Sequence, residues 1–155
     1  MDWKSPLLAA PRLHPSTLGG LRRISYLLCT LLLAASAGAH ACGESLAGTR
    51  TTAENSGYTI VFATAPSPVE VGKHFTVDFA VCPRAGAAKP QAVRVDANMP
   101  EHRHGMNYRP TVTTIGPGVY RGEGLLFHMP GRWDVTFDVV AGNTTQRLTS
   151  TLRVE

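Results

Sequence analysis

The strongest constraint on this chain is a period of two. Phe75, Val77, Phe79 and Val81 alternate with Thr76, Asp78, Ala80 and Cys82. Val93, Val95, Ala97 and Met99 alternate with Arg94, Asp96 and Asn98, and Trp133, Val135, Phe137 and Val139 with Asp134, Thr136 and Asp138. Successive side chains of a strand point to opposite faces, so each stretch reads as a strand with one dry side and one wet side. No comparable helical period runs through residues 58–155.

Glycine and proline cut these stretches to length. Tyr58-Thr59-Ile60-Val61-Phe62-Ala63 stops at Ala65-Pro66-Ser67-Pro68, and residues 83–90 form a turn-rich gap around Gly86. Residues 111–115 precede Gly116-Pro117-Gly118. Residues 119–127 contain Gly122 and Gly124, which in a strand signal a bulge or a close backbone approach. The last strand, with Leu148, Leu152 and Val154 on one side, follows the Ala141-Gly142-Asn143 turn. Seven short strands punctuated at such intervals predict an all-β fold, an immunoglobulin-like antiparallel β-sandwich, with a small open barrel as the alternative.

Residues 1–41 read as an address rather than as fold. Arg22-Arg23 precede an apolar run over 26–35, and small residues lead to Ala39-His40-Ala41, an A-x-A cleavage site. The run is shorter than the roughly 20 apolar residues of a membrane-spanning helix. The expected organisation is a cleavable signal peptide over 1–41, an N-terminal extension over 42–57 and the sandwich over 58–155. Release into the periplasm or the medium is the expected outcome. The alternatives are a lipid anchor on Cys42, for which Ala39 stands where a large aliphatic is usual, and an uncleaved N-terminal helix.

Removing the leader changes the charge argument. Four of the fifteen Lys and Arg residues (Lys4, Arg12, Arg22, Arg23) and one of the eleven acids (Asp2) lie in it, leaving eleven against ten and a net charge of +1. The basic isoelectric point thus belongs largely to the leader, and nucleic acid is excluded as a partner. Cys29 also lies in the leader, which leaves Cys42 and Cys82. Two cysteines in an exported chain point to a disulfide, with two free thiols as the alternative. A catalytic dithiol is not expected, because there is no C-x-x-C.

The chemistry is concentrated in Met99-Pro100-Glu101-His102-Arg103-His104-Gly105-Met106, with a second piece in His128-Met129-Pro130-Gly131. Imidazole nitrogen together with thioether sulfur is a donor set that suits copper, the thioether favouring the reduced ion and the imidazole accepting either state. If His102-Arg103-His104 is extended, the two imidazoles project to one side. Loops of a sandwich collect at its two ends, so the segment after Met99 and the turn at His128 are candidates for the same end. A metal held by His102 and His104 would then be completed by Met106, Met99 or His128. Against this, Met99 continues the Val93-Val95-Ala97 face and reads equally as core, and the histidines read equally as solvated loop residues. Zinc held by histidine with Glu101 would leave the methionines idle. His74 stands alone. No nucleophile elbow or marked carboxylate pair is present, so no enzyme and no small-molecule substrate are expected.

The M-P-x-H-x-H-G-M core, with Gly118-Val119-Tyr120 and the Phe127-His128-Met129-Pro130-Gly131-Arg132-Trp133 turn, resembles the YtkA-like and FixH-like group of exported bacterial β-domains. The similarity covers roughly residues 75–154. It implies an immunoglobulin-like sandwich in the cell envelope, associated with copper handling or with maturation of copper-containing respiratory complexes. FixH-like members carry an N-terminal membrane helix, and the A-x-A site departs from that. The implied partner is an envelope protein that donates or receives copper. The competing reading is a non-metal interaction module whose His/Met segment is a structural loop or a docking surface.

Overall fold

Strands that alternate in polarity must pair, and then bury their dry faces against a second sheet. The computed structural model describes residues 41–155, so the leader, Ala41 apart, lies outside the described residues. Nine strands follow in order: β1 (Thr51–Glu54), β2 (Tyr58–Ala65), β3 (His74–Pro83), β4 (Ala92–Met99), β5 (His104–Gly105), β6 (Thr111–Gly116), β7 (Val119–Leu126), β8 (Gly131–Ala141) and β9 (Thr144–Val154). They form two antiparallel sheets, β1-β2-β3-β7-β6 and β5-β4-β8-β9. With β1 and β5 set aside, the orders β2-β3-β7-β6 and β4-β8-β9 are the ABED and CFG sheets of a constant-type immunoglobulin sandwich.

The seven expected strands are therefore present, with two short ones besides. β1 lies in the stretch expected as an N-terminal extension and pairs with β2, Ala53 opposite Ile60. Only Ala53 of its four residues is buried, so no apolar period announces it. The two-residue β5 falls inside the histidine segment.

The core forms where the dry faces meet. Sheet one contributes Ile60, Phe62, Phe75, Val77, Phe79 and Leu125, with Phe127 just beyond β7, and sheet two Val93, Val95, Met99, Trp133, Val135 and Phe137, all buried. Burial of each large side chain stabilises the fold by about 1.5–3 kcal/mol. Phe137 meets Phe62 and Phe79 across the interface, with ring centroids 5.2 and 5.1 Å apart. Gly122 permits a close approach of the sheets: a Cβ there would stand 2.7 Å from Cγ1 of Val95. That is the close backbone approach its place in a strand signalled.

The expected disulfide is present. Cys42 is bonded to Cys82 with Cα atoms 5.9 Å apart, and it ties the N-terminal turn to the end of β3. His74 begins that strand and pairs with Leu126, two residues before His128. At about 3.3 Å per residue, the disulfide and the His128 turn lie roughly 25 Å apart, at opposite ends of the sandwich.

Candidate metal centre

β4 ends at Met99 because Pro100 offers no ladder donor. The chain reverses over residues 100–103. The His102 N–H donates to the Met99 carbonyl at 3.1 Å and the Arg103 N–H to the Pro100 carbonyl at 3.3 Å. Arg103 takes φ +56°, the left-handed conformation that L residues other than glycine seldom adopt. The strand then returns as β5, with His104 opposite Met99 and Gly105 opposite Asn98, and the Met106 N–H donates to the Ala97 carbonyl at 3.1 Å. Directly opposed residues share a face of a sheet. His104 thus stands on the side of buried Met99, at the rim of the core.

The extended geometry considered for His102-Arg103-His104 is thus not the one adopted. A turn, rather than an i, i+2 strand repeat, brings the two imidazoles together, with ring centroids 5.8 Å apart.

The second wall is the link from β7 to β8. Phe127 stacks on Trp133 at 4.6 Å with an interplanar angle of 12°. The Trp133 Nε1–H donates to the Met129 carbonyl at 3.0 Å, folding the turn back over the indole. Gly131 sits at φ +123°, and a Cβ there would lie 2.6 Å from the Met99 methyl carbon. Met99 therefore props the turn that carries His128. The His128 ring comes 5.0 Å from His104 and 5.4 Å from Trp133, while His104 is 5.8 Å from Trp133. His102, His104 and His128 form a row, and the last two are seated on a fully buried indole. The expectation that both pieces share one end holds.

The nitrogens are differently placed. A carbonyl can only accept, so the 3.1 Å contact of His104 Nδ1 with the Gly105 carbonyl puts a proton on Nδ1, the tautomer whose lone pair is on Nε2. His128 Nδ1 is buried with no hydrogen-bond partner. Buried polar atoms are nearly always paired, and an orphan calls for a cause.

The other expected ligands divide. Met99 is 1% exposed and belongs to the core. Met106 and Met129 are half-buried against it, and Met106 also lines a cleft with Arg94, Tyr108 and Arg109. Glu101 faces Arg132 at 3.6 Å in an exposed ion pair. His74 lies against Tyr108 at 5.4 Å. Among the described residues no three His, Cys, Asp or Glu side chains are arranged to hold a metal ion by themselves. The imidazoles make an open row, and an ion held there would need a pair of them and a further donor.

Trp133 as the seat of two imidazoles was not read from sequence, although the H-M-P-G-x-W spacing placed it five residues after His128. Gly131 as the gap that Met99 fills had no sequence signal beyond its turn.

A family model described as YtkA-like matches residues 52–138, more than half of the 155-residue chain. No curated protein and no solved structure matches.

Proposed function

The chain belongs to the YtkA-like family, and from that premise we propose that it is an exported copper-binding protein of the periplasm, a carrier, buffer or metallation helper with no turnover of its own. The observation that carries this reading is the buried, unpartnered Nδ1 of His128 with its ring 5.0 Å from that of His104. The Nδ1–H of His104 is held by the Gly105 carbonyl, so its Nε2 is free to bind. A metal ligand needs its second ring nitrogen oriented in this way.

In this assignment His104 and His128 are the primary pair. The exposed His102 is a third donor, and the half-buried Met106 supplies a thioether where the reduced ion is carried. Met99 is kept for packing. An open row suits delivery, since an ion with unfilled coordination can be passed to an acceptor by exchange of ligands. The partner is accordingly an envelope protein that gives or receives copper. Export agrees with the disulfide, which also occupies the Cys42 sulfur that a lipid anchor would use.

Trp133 is the only tryptophan outside the leader, so its fluorescence reports directly on the site. Titration of the exported, processed protein with Cu(I) and with Cu(II), against a competing chelator, should give one ion bound with quenching of Trp133. The double variant His102→Ala/His104→Ala should abolish binding while the thermal transition persists. Unchanged affinity in that variant would sink the assignment. The lack of a closed three-residue donor set favours the second reading, an interaction module, which predicts no stoichiometric copper in the wild type.

A further inference from the structure

An unpaired sheet edge offers a row of free N–H and C=O groups to any other strand, and edges are usually blunted by charge, proline or brevity. The edges of this sandwich are not treated alike. β1 is four residues long, β9 carries Arg147 and Arg153, and β4 carries Arg94 and Asp96 and is capped by β5 at its end. β6, the last strand of sheet one, reads Thr-Val-Thr-Thr-Ile-Gly. No charged residue occurs from Pro110 to Tyr120. Among the described residues the exposed large hydrophobics are Tyr108 (49%), just before this stretch, and Ile115 (48%), within it. Ile115 lies where the pairing with β7 slips, between Thr114 and Gly116, beside a groove lined by Leu46, Ala47, Pro117 and Val119.

We propose that β6 is the docking strand for a second copy of this chain, paired antiparallel about a two-fold axis through Thr113 so that the two five-stranded sheets become one. The choice of occupant follows from self-complementarity. Such an axis sets Thr113 against its own counterpart, Val112 against Thr114, and Thr111 against Ile115. Each is a pair of β-branched side chains, favourable across strands, and no like charges meet. A charge at the axial position would fail this test, because the two-fold sets that residue against its own copy. Continued outward, the register sets Tyr108 over the Gly118 turn of the second copy, so both exposed apolar side chains are covered. Each copy has one such strand, and assembly closes at the dimer. A contact limited to one edge is small and belongs to the weak, transient class.

The inference is independent of copper, since His102, His104 and His128 all lie outside β6. Sedimentation velocity on the exported, processed protein, from micromolar to millimolar concentration, should show a monomer–dimer equilibrium. Thr113 is exposed, so both of its variants should keep the wild-type thermal transition. Thr113→Val should dimerise as the wild type does, whereas Thr113→Lys, placing two ammonium groups face to face, should raise the dissociation constant about tenfold or more. A protein that stays monomeric throughout, or a dimer indifferent to Thr113→Lys, would overturn the proposal.

Discussion

Met99 separates packing from ligation, because one atom type distinguishes the two roles. Its side chain is 1% exposed, and its methyl fills the space left by Gly131, where a Cβ would come within 2.6 Å. Met99→Ala removes three heavy atoms from this position, a transfer loss of about 2–2.5 kcal/mol. The walls resist collapse, because the Phe127–Trp133 stack and the Gly131 turn are braced by other contacts. Adding the residual cavity brings the expected loss to about 3–4 kcal/mol. In a domain of this size that lowers the melting temperature by about 12–20 °C. Met99→Leu keeps the volume and should cost less than about 1.5 kcal/mol. Urea denaturation gives both stabilities, and chelator competition gives the copper affinity of each variant. The Leu variant should bind copper as the wild type does, since the ligands are assigned to imidazoles and Met106. The Ala variant should bind more weakly, through a loosened seat under His128. A Leu variant of wild-type stability that loses about tenfold or more in copper affinity, equivalent to 1.4 kcal/mol, would make Met99 a ligand and refute this reasoning. An Ala variant within about 1 kcal/mol of wild type would refute the packing role.

Two further outcomes test the frame around the site. Replacing the disulfide by Cys42→Ser/Cys82→Ser reopens a loop of 40 residues; urea denaturation should show a loss of up to about 4 kcal/mol, with copper affinity unchanged because the bridge closes the other end of the sandwich. Arg147 donates two hydrogen bonds to Asp138, at 2.7 and 2.8 Å, and this bonding holds the Asp138 carboxyl below its ordinary value of 3.8. A folded pKa below the unfolded one contributes stability that is present above the unfolded pKa and fades as pH falls through the folded one. Arg147→Met should therefore cost about 0.5–1 kcal/mol at neutral pH, the guanidinium being largely solvated, and the gap to wild type in thermal melts should shrink below about pH 4. A gap that is constant with pH would assign the loss to packing.

How much of this was legible in the sequence depends on how many residues carry each signal. The long strands declare themselves because each repeats its alternation over four or more residues, as Phe75 to Val81 and Trp133 to Val139 do. β1 has a single buried residue, and β5 is two residues long, so neither sustains a period. The turn at residues 100–103 was missed for a related reason: its closing residue is an arginine in a conformation that sequence rules reserve for glycine or asparagine. Nothing in His-Arg-His announces it.

The meeting of the two histidine pieces, by contrast, follows from one pairing. β4 and β8 are antiparallel, with Asn98 opposite Asp134 and Ala97 opposite Val135. The residues just after Met99 must then lie beside those just before Gly131, which are His102-Arg103-His104 and His128. The same register turns Met99 and Trp133 inward and leaves His104 at the rim above them. A slip of one residue between β4 and β8 would turn one strand's core side chains to solvent. The imidazole row is thus fixed by the same hydrophobic alternation that builds the sandwich, and it cannot be moved along the rim without dismantling the core beneath it.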